Sequence, residues 1–473
     1  MTACLADFRL EPGVYRLGQF APVSIRDQVI RANLVVDALD DADYLTPEMR
    51  LVVVGAGAAG ISVALAAQRI GVASITILER ADQAMQLQQR SSTRHLDPVQ
   101  YDWPAAYWDE EQWPIADDVP RRFTAVDAPF NTIVAQEADK WASWFIGQAL
   151  GARLQIHTNR DVVGWRKGTT GRFLVETAAS KHVAAKQWPA DVVIVATGFG
   201  WEVASAPNTN GGQQFVGLDF WSTDPFETPN RGLPKGESVL VSGTGDGSLQ
   251  EYIRLLTGEV SARNVLKRIL NATPPDSTWK ASFAALGHWD RHAATSLMAV
   301  TKAFTECEVY TRLHAKFKQA VIELKTHSDW QTVTGLLDSL TNSRSPGVVT
   351  LLMKCTHFGK CYALNRLVAL ILIEHLEDKG IRSAKTRTAL SSTAAIGHVC
   401  QPGCWGQKHQ VTLALGTDCV HTGRDIAGWK AAGALTTDQD YLGLVIRHGI
   451  KPLASPHFPT VALATQEVPC HLP

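Results

Sequence analysis

Three glycines at a fixed spacing form the pattern in this 473-residue chain that most clearly implies chemistry. They stand in a G-x-G-x-x-G motif directly after the apolar run 51–54, which predicts a buried parallel strand. In such a motif the backbone turns tightly into a helix and approaches a diphosphate closely, and the helix N-terminus supplies N–H groups and partial positive charge. Gly55 is expected to allow the tight turn, Gly57 to let the backbone approach the diphosphate, and Gly60 to let the helix pack on the strand. The predicted cofactor-binding residues of this turn are Gly55, Gly57, Ala58, Ala59 and Gly60.

An acidic residue follows the next predicted strand, at the place where a ribose needs a hydrogen-bond acceptor. Residues 74–78 predict that strand, and Glu79 comes directly after it, followed by Arg80. A carboxylate about 20 residues after the glycines accepts hydrogen bonds from ribose hydroxyls in dinucleotide-binding units. Strand, glycines, helix, strand and acid therefore predict a dinucleotide site that includes Glu79 and Arg80. The alternative is a glycine loop that serves packing alone.

Two later stretches extend this pattern. Residues 191–198, DVVIVATG, predict a buried strand that ends in Thr197 and Gly198. Residues 238–248, SVLVSGTGDGS, predict a further strand that runs into a glycine-rich turn. Together with the first motif they resemble the two-dinucleotide-binding-domain flavoproteins, which include pyridine-nucleotide disulfide reductases and flavin monooxygenases.

That resemblance implies a cofactor for each turn. The first motif, with Ala64 and Glu79, is similar to the superfamily's FAD fingerprint, and Thr197 and Gly198 match its Ala-Thr-Gly strand, so FAD is expected there. The second turn implies NADPH or NADH. The superfamily also has a late Gly-Asp segment near the flavin, and we find no such segment late in this sequence.

The second turn departs from the usual pattern. Gly243, Gly245 and Ser248 follow the strand, so serine stands where a third glycine or alanine is usual. Asp246 and Glu251 add negative charge near a helix start that should attract phosphate. A second nucleotide site at Gly243, Gly245 and Ser248 is our expectation, and a degenerate half that keeps only the fold is the alternative.

Candidates for the substrate side lie in the loop-rich stretch 87–122, because long connections inside compact domains are usually functional. The weak catalytic candidates there are Arg94, His95 and Tyr101, and Arg90, Asp102 and Trp103 are further candidates for the substrate wall. A proline-rich surface loop is an equally good interpretation. No catalytic acid or base is assigned more firmly.

One cysteine cluster has residue types that are used in metal and redox chemistry. Cys400 and Cys404 are spaced C-x3-C, which matches neither the usual zinc spacing nor the dithiol spacings of the flavin superfamily. Nearby ligand types are His398, His409, Cys419 and His421. We interpret the cysteines as structural and predict no metal site, and a zinc site is the better of the two functional alternatives.

Composition narrows the class of protein. The net charge of −1, with 45% hydrophobic and 19% charged residues, gives no electrostatic attraction to nucleic acid or to an anionic membrane. No leader-like start or membrane-spanning run stands out. We therefore expect a cytoplasmic enzyme with a small-molecule substrate, and a homo-oligomer is one assembly state that the sequence allows.

Hydrophobic periodicity predicts the elements. Residues 24–39 and 131–150 predict helices, and residues 154–157, 162–167 and 172–177 predict the strands of a β-meander. Residues 259–390 are almost wholly helical in pattern, and within them 348–376 predicts one helix. Residues 410–415 and 441–447 predict strands.

The expected fold is α/β: a Rossmann-like FAD-binding domain with a β-meander, a second degenerate Rossmann-like half and a helical insertion. The predicted boundaries are an N-terminal arm at 1–48, an FAD-binding domain at 49–236, a second half at 237–258 and 391–450, a helical insertion at 259–390 and a tail at 451–473.

The expected function is that of an FAD-dependent oxidoreductase whose flavin is reduced by NAD(P)H and reoxidised by an organic substrate or by oxygen, as in monooxygenases. Two alternatives stay open. The protein could be an FAD oxidase reduced directly by its substrate, or a non-catalytic FAD-binding protein that contacts a partner through the helical insertion.

Overall fold

The computed structural model describes residues 2–18, 24–96, 103–104, 132–149, 153–181, 183–206, 215–223, 238–274, 279–298, 306–342, 349–353, 355–381, 383–392, 409–415, 435–441 and 443–451. Within them the helices are α1 (Thr2–Phe8), α2 (Ile25–Asp41), α3 (Ala58–Arg69), α4 (Gln86–Gln89), α5 (Val134–Ala149), α6 (Asp246–Thr257), α7 (Ala262–Ala272), α8 (Trp279–Met298), α9 (Glu306–Lys325), α10 (Trp330–Asn342) and α11 (Ala363–Asp378).

The strands are β1 (Arg9–Glu11), β2 (Val14–Arg16), β3 (Arg50–Val54), β4 (Ser74–Leu78), β5 (His95–Leu96), β6 (Thr132–Ile133), β7 (Leu154–His157), β8 (Val162–Lys167), β9 (Phe173–Thr177), β10 (Lys186–Ala190), β11 (Val192–Val195), β12 (Trp201–Glu202), β13 (Ser205–Ala206), β14 (Phe215–Val216), β15 (Val239–Ser242), β16 (Val349–Met353), β17 (Ala384–Ser392), β18 (His409–Leu415), β19 (Leu435–Tyr441), β20 (Gly443–Ile446) and β21 (Ile450–Lys451).

The chain divides into two compact units. Unit 1 comprises Met1–Ser92, Gln112–Trp201 and Lys451–Pro473, and unit 2 comprises Thr93–Glu111 and Glu202–Ile450.

Unit 1 is built on a six-stranded sheet in the order β1-β2-β11-β3-β4-β7. Strands β2, β11, β3, β4 and β7 are mutually parallel, and β1 is antiparallel to β2. Val192–Val195 is buried at every position, as expected for a parallel strand covered on both faces. The carboxyl ends of the parallel strands therefore lie at one edge, where open α/β sheets bind their ligands.

An antiparallel three-stranded sheet, β8-β9-β10, packs against this parallel sheet. The predicted meander is correct for β8 and β9 but wrong in its third member. Leu154–His157 is β7 of the parallel sheet, and the third meander strand is Lys186–Ala190. That strand contains Pro189, which lacks a backbone donor and so disfavours a strand assignment from sequence. It is tolerated because β10 is an edge strand.

The N-terminal residues belong to the same unit. The predicted helix at 24–39 is confirmed as α2, which begins with a capping box between Ser24 and Asp27. Helix α2 packs on α3, where Arg69 donates hydrogen bonds to Asn33 and Asp37. Strand β2 was not expected from the sequence, and it adds a parallel strand next to β11.

Unit 2 contains a second six-stranded sheet in the order β19-β18-β17-β16-β15-β20. Strands β17, β16, β15 and β20 are parallel, and β18 and β19 extend the sheet in antiparallel fashion. Helix α6 follows β15, and α7 to α10 come between α6 and β16 in sequence. Unit 2 thus contains a second Rossmann-like sheet, and the boundaries expected for this half, 237–258 and 391–450, stay a prediction.

The predicted helix at 348–376 is wrong in its first part. Val349–Met353 is β16, buried at all five positions, and the helix begins only at Ala363 as α11. A short apolar run has no periodicity that separates a buried strand from a helix. The expectation of an almost wholly helical stretch over 259–390 is therefore also wrong at β16 and at β17. The strands predicted at 410–415 and 441–447 correspond to β18 and β20.

Candidate dinucleotide-binding site

The first glycine turn joins β3 to α3 in unit 1. Gly55 has φ of +104°, and a Cβ atom added to it would lie 2.6 Å from the Ala196 carbonyl oxygen. A Cβ atom on Gly60 would lie 1.9 Å from the Gly55 carbonyl oxygen. These two positions exclude side chains because the turn and the helix close on each other. Gly55 and Gly60 therefore fix the shape of the turn.

Gly57 differs from Gly55 and Gly60 because its side-chain position is open. It is the N-cap of α3, in extended backbone with φ of −78°, and an added Cβ atom would meet no heavy atom within 4 Å. No side chain caps the helix at Gly57, and the first turn, which includes Ala58 and Ala59, contains no acidic residue. The start of α3 thus carries partial positive charge, and the side-chain position of its N-cap residue is open, which is an arrangement that can take a phosphate.

Glu79 lies against the same turn. Its Oε2 atom accepts a hydrogen bond from the Ala56 N–H at 2.5 Å, and its Oε1 atom accepts one from the Ala81 N–H at 2.7 Å. These bonds hold the half-buried carboxylate beside the glycines, where a ribose next to the diphosphate would meet it. Arg80 is exposed. The predicted grouping of turn and acid is therefore present in the fold, and its role in binding stays a prediction.

Thr197 and Gly198 lie at the same sheet edge. The Ala196 N–H donates a 2.8 Å hydrogen bond to the Val54 carbonyl oxygen, so the chain after β11 passes directly beside the first turn. Both Thr197 and Gly198 are exposed, and Gly198 has φ of +81°. A dinucleotide with its diphosphate at Gly57 that continued along this edge would contact the backbone of Thr197 and Gly198.

The second glycine turn joins β15 to α6 in unit 2. Gly243 has φ of +151°, and an added Cβ atom would lie 2.3 Å from the Arg447 carbonyl oxygen. Ser248 is buried, and its hydroxyl donates a 2.7 Å hydrogen bond to the Gly245 carbonyl oxygen. The serine that replaces the usual third glycine thus stabilises the turn from within.

Gly245 is the N-cap of α6, as Gly57 is of α3, but its surroundings differ. An added Cβ atom on Gly245 would lie 3.3 Å from the Lys360 carbonyl oxygen. The Gly359 N–H donates a 2.9 Å hydrogen bond to the Thr244 carbonyl oxygen. The segment after β16 therefore lies across this turn, with a carbonyl oxygen on the side where the first turn is open.

Asp246, the first residue of α6, is engaged by the same segment. Its Oδ1 atom accepts hydrogen bonds from the Asn365 side-chain nitrogen at 2.6 Å and from the Tyr362 N–H at 3.2 Å. Ala58 is the first residue of α3 and carries no charge. A phosphate at the start of α6 would meet a carboxylate and a carbonyl oxygen, which repel it. The second turn therefore fits a dinucleotide phosphate less well than the first.

Arg94 lies in a buried charge cluster of unit 2. Glu251 on α6 is fully buried and accepts hydrogen bonds from Arg94 at 2.6 and 3.1 Å, from Arg254 at 2.6 Å and from Arg447 at 2.8 Å. Burial alone would raise the pKa of Glu251, but the guanidinium groups of Arg94 and Arg447 hold it below its ordinary value. Arg94 also donates a 2.6 Å hydrogen bond to the Phe220 carbonyl oxygen.

Within unit 2, Arg94 therefore neutralises the buried Glu251 carboxylate. Sequence reasoning missed Arg447, which donates hydrogen bonds to the same carboxylate. Glu202, 3.6 Å from Arg447, has its pKa raised by burial, and Arg447 opposes that shift. The local pattern around Arg447, a strand followed by glycine, indicated only the end of a strand. Arg447 pairs with Glu251, which lies nearly 200 positions earlier in the sequence, so the local pattern could not indicate this pairing.

The other described candidates for the substrate side are His95, Trp103 and Arg90. His95 has its pKa lowered to about 4 by burial and by the nearby charges of Arg254 and Arg94, so its imidazole is neutral at pH 7. Trp103 is buried against Phe283 in unit 2, with ring centroids 5.3 Å apart, and Arg90 is exposed in unit 1. Tyr101 and Asp102 lie outside the described residues. The substrate wall stays a prediction.

The predicted cysteine cluster, from His398 to His421, lies outside the described residues except for the backbone of His409. In the part of the chain that the structure describes, no group of three or more His, Cys, Asp and Glu side chains is arranged to hold a metal ion. Among the described helices, none combines the length and the apolar character that a membrane span needs.

Comparisons with known proteins gave structural likenesses alone. No protein-family description matches the chain, and no curated protein is significantly similar to it. A flavin monooxygenase from Stenotrophomonas maltophilia is 17% identical with a TM-score of 0.31, over 47% of this chain and 64% of its own. The chain thus spans less than two thirds of that enzyme.

Two further solved structures match over more of the chain. An FAD-bound cadaverine monooxygenase of desferrioxamine biosynthesis from Erwinia amylovora is 11% identical, with a TM-score of 0.36, over 86% of this chain and 80% of its own. Thioredoxin reductase from Lactococcus lactis is 10% identical, with a TM-score of 0.34, over 86% and 80%. These structures belong to the class of flavoprotein that the sequence motifs resemble. At such identities and TM-scores they do not establish an activity or a ligand for this chain.

Proposed function

We propose that this protein is an FAD-dependent oxidoreductase that binds FAD at the first glycine turn. The observation that carries the proposal is the open side-chain position at Gly57, at the start of α3 where no side chain caps the helix, with the Glu79 carboxylate hydrogen-bonded to the same turn. The same turn excludes side chains at Gly55 and Gly60 for reasons of packing alone. Of the three glycines in this turn, only Gly57 has an open side-chain position, and the need to leave room for a bound diphosphate explains why glycine stands there.

Different residues of unit 1 would bind different parts of FAD. The N–H groups at Gly57, Ala58 and Ala59 would hold the diphosphate, and Glu79 would accept hydrogen bonds from the adenosine ribose. Thr197 and Gly198 would line the path toward the flavin half. FAD is chosen over NAD because the fingerprint and the Ala-Thr-Gly edge resemble the flavin superfamily. When bound, a flavin accepts and passes on electron pairs, and the protein supplies position and electrostatics.

For the source of electrons we propose NADPH or NADH, with an organic substrate or oxygen as the acceptor, in monooxygenase fashion. The support is the second Rossmann-like half with its β15–α6 turn. A small-molecule substrate, a cytoplasmic location and a homo-oligomeric state, all expected from the sequence, belong to the same proposal.

One observation favours a second candidate, an oxidase whose substrate reduces the flavin directly. The Lys360 carbonyl oxygen and the Asp246 carboxylate lie at the start of α6, where a nicotinamide dinucleotide would place its phosphates. In this candidate the second half keeps the fold and has no nucleotide of its own.

The deciding experiment is an anaerobic titration of the purified protein. A flavin absorption band, retained through gel filtration and released as FAD on denaturation, is the expected first result, and colourless protein that takes up no FAD would end the proposal. Bleaching of that band by NADPH or NADH supports the reductase form. Bleaching by neither, with peroxide release when a substrate and air are supplied, supports the oxidase.

A further inference from the structure

The segment 14–18 lies at the same sheet edge as the first glycine turn. Strand β2 runs parallel to β11 in the register Val14–Val193, Tyr15–Ile194 and Arg16–Val195, and Val195 pairs with Val54 of β3. The Leu17 N–H donates a 2.9 Å hydrogen bond to the Val195 carbonyl oxygen. Arg16, Val195 and Val54 therefore lie side by side across the sheet, and β2, β11 and β3 end at the same edge.

Just beyond the ends of β2 and β11, the backbone of Gly18 contacts the backbone of Gly198 with no side chain between them. A Cβ atom added to Gly18 would lie 2.3 Å from the Gly198 carbonyl oxygen and 3.2 Å from its carbonyl carbon. Gly18 is buried, whereas Gly198 and Thr197 are exposed at the edge. Only glycine allows so close an approach at position 18, because the obstacle is backbone and cannot rotate away. The position of residues 197–198 thus depends on Gly18.

The strand order says which part of a dinucleotide would reach this place. From β3 the chain passes through α3 to β4 on one side, and β11 and β2 lie on the other, so the sheet's switch point falls between β3 and β11. Glu79 marks the adenosine side, beyond β4, and Gly57 marks the diphosphate, above β3. With strands about 4.8 Å apart, β2 lies about 10 Å from β3 on the side away from the adenosine.

We propose that residues 17–18 and 197–198 together form the wall that positions the ribityl and isoalloxazine half of FAD. This inference rests on the proposed function, since it concerns how the first turn's ligand continues. The late Gly-Asp segment expected from the resemblance is not found late in the sequence. A segment that precedes the glycine turn in sequence supplies the corresponding backbone at the flavin side of the edge.

The test compares FAD with ADP, which shares the adenosine and diphosphate but lacks the flavin half. Gly18→Ala displaces residues 197–198 and is expected to weaken FAD binding by about tenfold or more while leaving ADP binding within about twofold. The matched control is Gly164→Ala in β8, where an added Cβ atom meets nothing within 4 Å and neither affinity should change. Unchanged FAD binding by the Gly18 variant would overturn the inference.

A second measurement needs no variant and decides the case if Gly18→Ala loses both ligands through misfolding. Hydrogen exchange of the wild-type protein is followed with saturating FAD or saturating ADP. We expect FAD to slow exchange in peptides covering 14–18 and 197–198 more than ADP does, with equal protection of β3 and β4. Equal protection of 14–18 by both ligands would overturn the inference and leave FAD binding intact, whereas wild-type protein that binds no FAD refutes the proposed function itself.

Discussion

Gly57 combines an ordinary backbone conformation with an open side-chain position, so a larger residue can replace it in the folded protein. Aspartate and asparagine are both favoured N-cap residues. Gly57→Asp places a carboxylate where the diphosphate should lie, and like charges about 4 Å apart near a protein surface repel by about 4 kcal/mol. We expect FAD affinity to fall by about 100-fold or more and the thermal unfolding midpoint to stay within about 3 °C of the wild type.

Gly57→Asn is the control, since it adds nearly the same bulk without charge. It should weaken FAD binding less than the aspartate does, as measured by flavin fluorescence titration. Equal affinities for the two variants would mean that no anionic group lies at Gly57. Loss of the fold in both variants would contradict the open space described for this position.

The close contact of Gly60 with Gly55 was predictable because both residues belong to one local motif. The contact of Gly55 with the Ala196 carbonyl oxygen, 141 positions away, could not be predicted from the spacing of the glycines. The second turn has a similar local pattern, but Lys360 and Asn365, more than 100 positions away, determine what surrounds Gly245 and Asp246. Nothing near Gly245 in the sequence shows that the chain returns to cover it.

At the scale of elements, α6 is held by the ion cluster around Glu251. Glu251→Gln removes the only carboxylate that binds Arg94, Arg254 and Arg447 together within the described residues. Removing one partner from a buried ion pair costs about 3–5 kcal/mol, because the remaining charges stay buried. We expect a loss of that size in the free energy of unfolding of unit 2, measured by urea denaturation.

Glu259→Gln is the matched substitution on the surface. Glu259 pairs with Arg268 at 2.5 Å, with 46% of the arginine side chain exposed, so its loss should cost under about 1 kcal/mol. If the two variants lost equal stability, the cluster would contribute no more than a surface pair.

Element type was predictable where periodicity is strong or a cap is present, as in α2 with Ser24 and Asp27. It was not predictable for β16, whose five buried residues fit strand or helix equally, nor for β10, where Pro189 argues against a strand. The short β2 lacks a run long enough to show alternation. Its place next to β11 is set by tertiary pairing.

At the scale of the whole molecule, stability should depend on pH through the half-buried histidines His314 and His95. Burial, with the positive charge of Arg366 nearby, lowers the pKa of His314 to about 3, below its ordinary value of 6.5. Between those values the unfolded chain binds a proton that the folded protein does not. The free energy of unfolding should therefore be highest above pH 6.5 and fall as the pH drops toward 3, and His95, with a pKa of about 4, adds to the same trend.

The variant that tests this expectation is His314→Gln, compared with the wild type by urea denaturation at pH 7 and pH 5. The glutamine does not titrate, so the difference in stability between the two pH values should be smaller in the variant. An identical pH dependence would show that His314 is not kept neutral by the fold. Other titrating groups cancel in the comparison because both proteins carry them.

Strand β15 pairs with β16 and β20, yet roughly 100 residues separate β15 from β16 in the chain, and the described part of that stretch contains the five helices α6 to α10. A ribosome adds about 5–20 residues per second, so β15 waits about 5–20 s for its first parallel neighbour. During that interval β15 has no parallel strand to pair with, while the five helices can form from local contacts. Heat shock or overexpression should therefore trap nascent chains at this stage, and chaperone supply during translation should govern the yield of native protein.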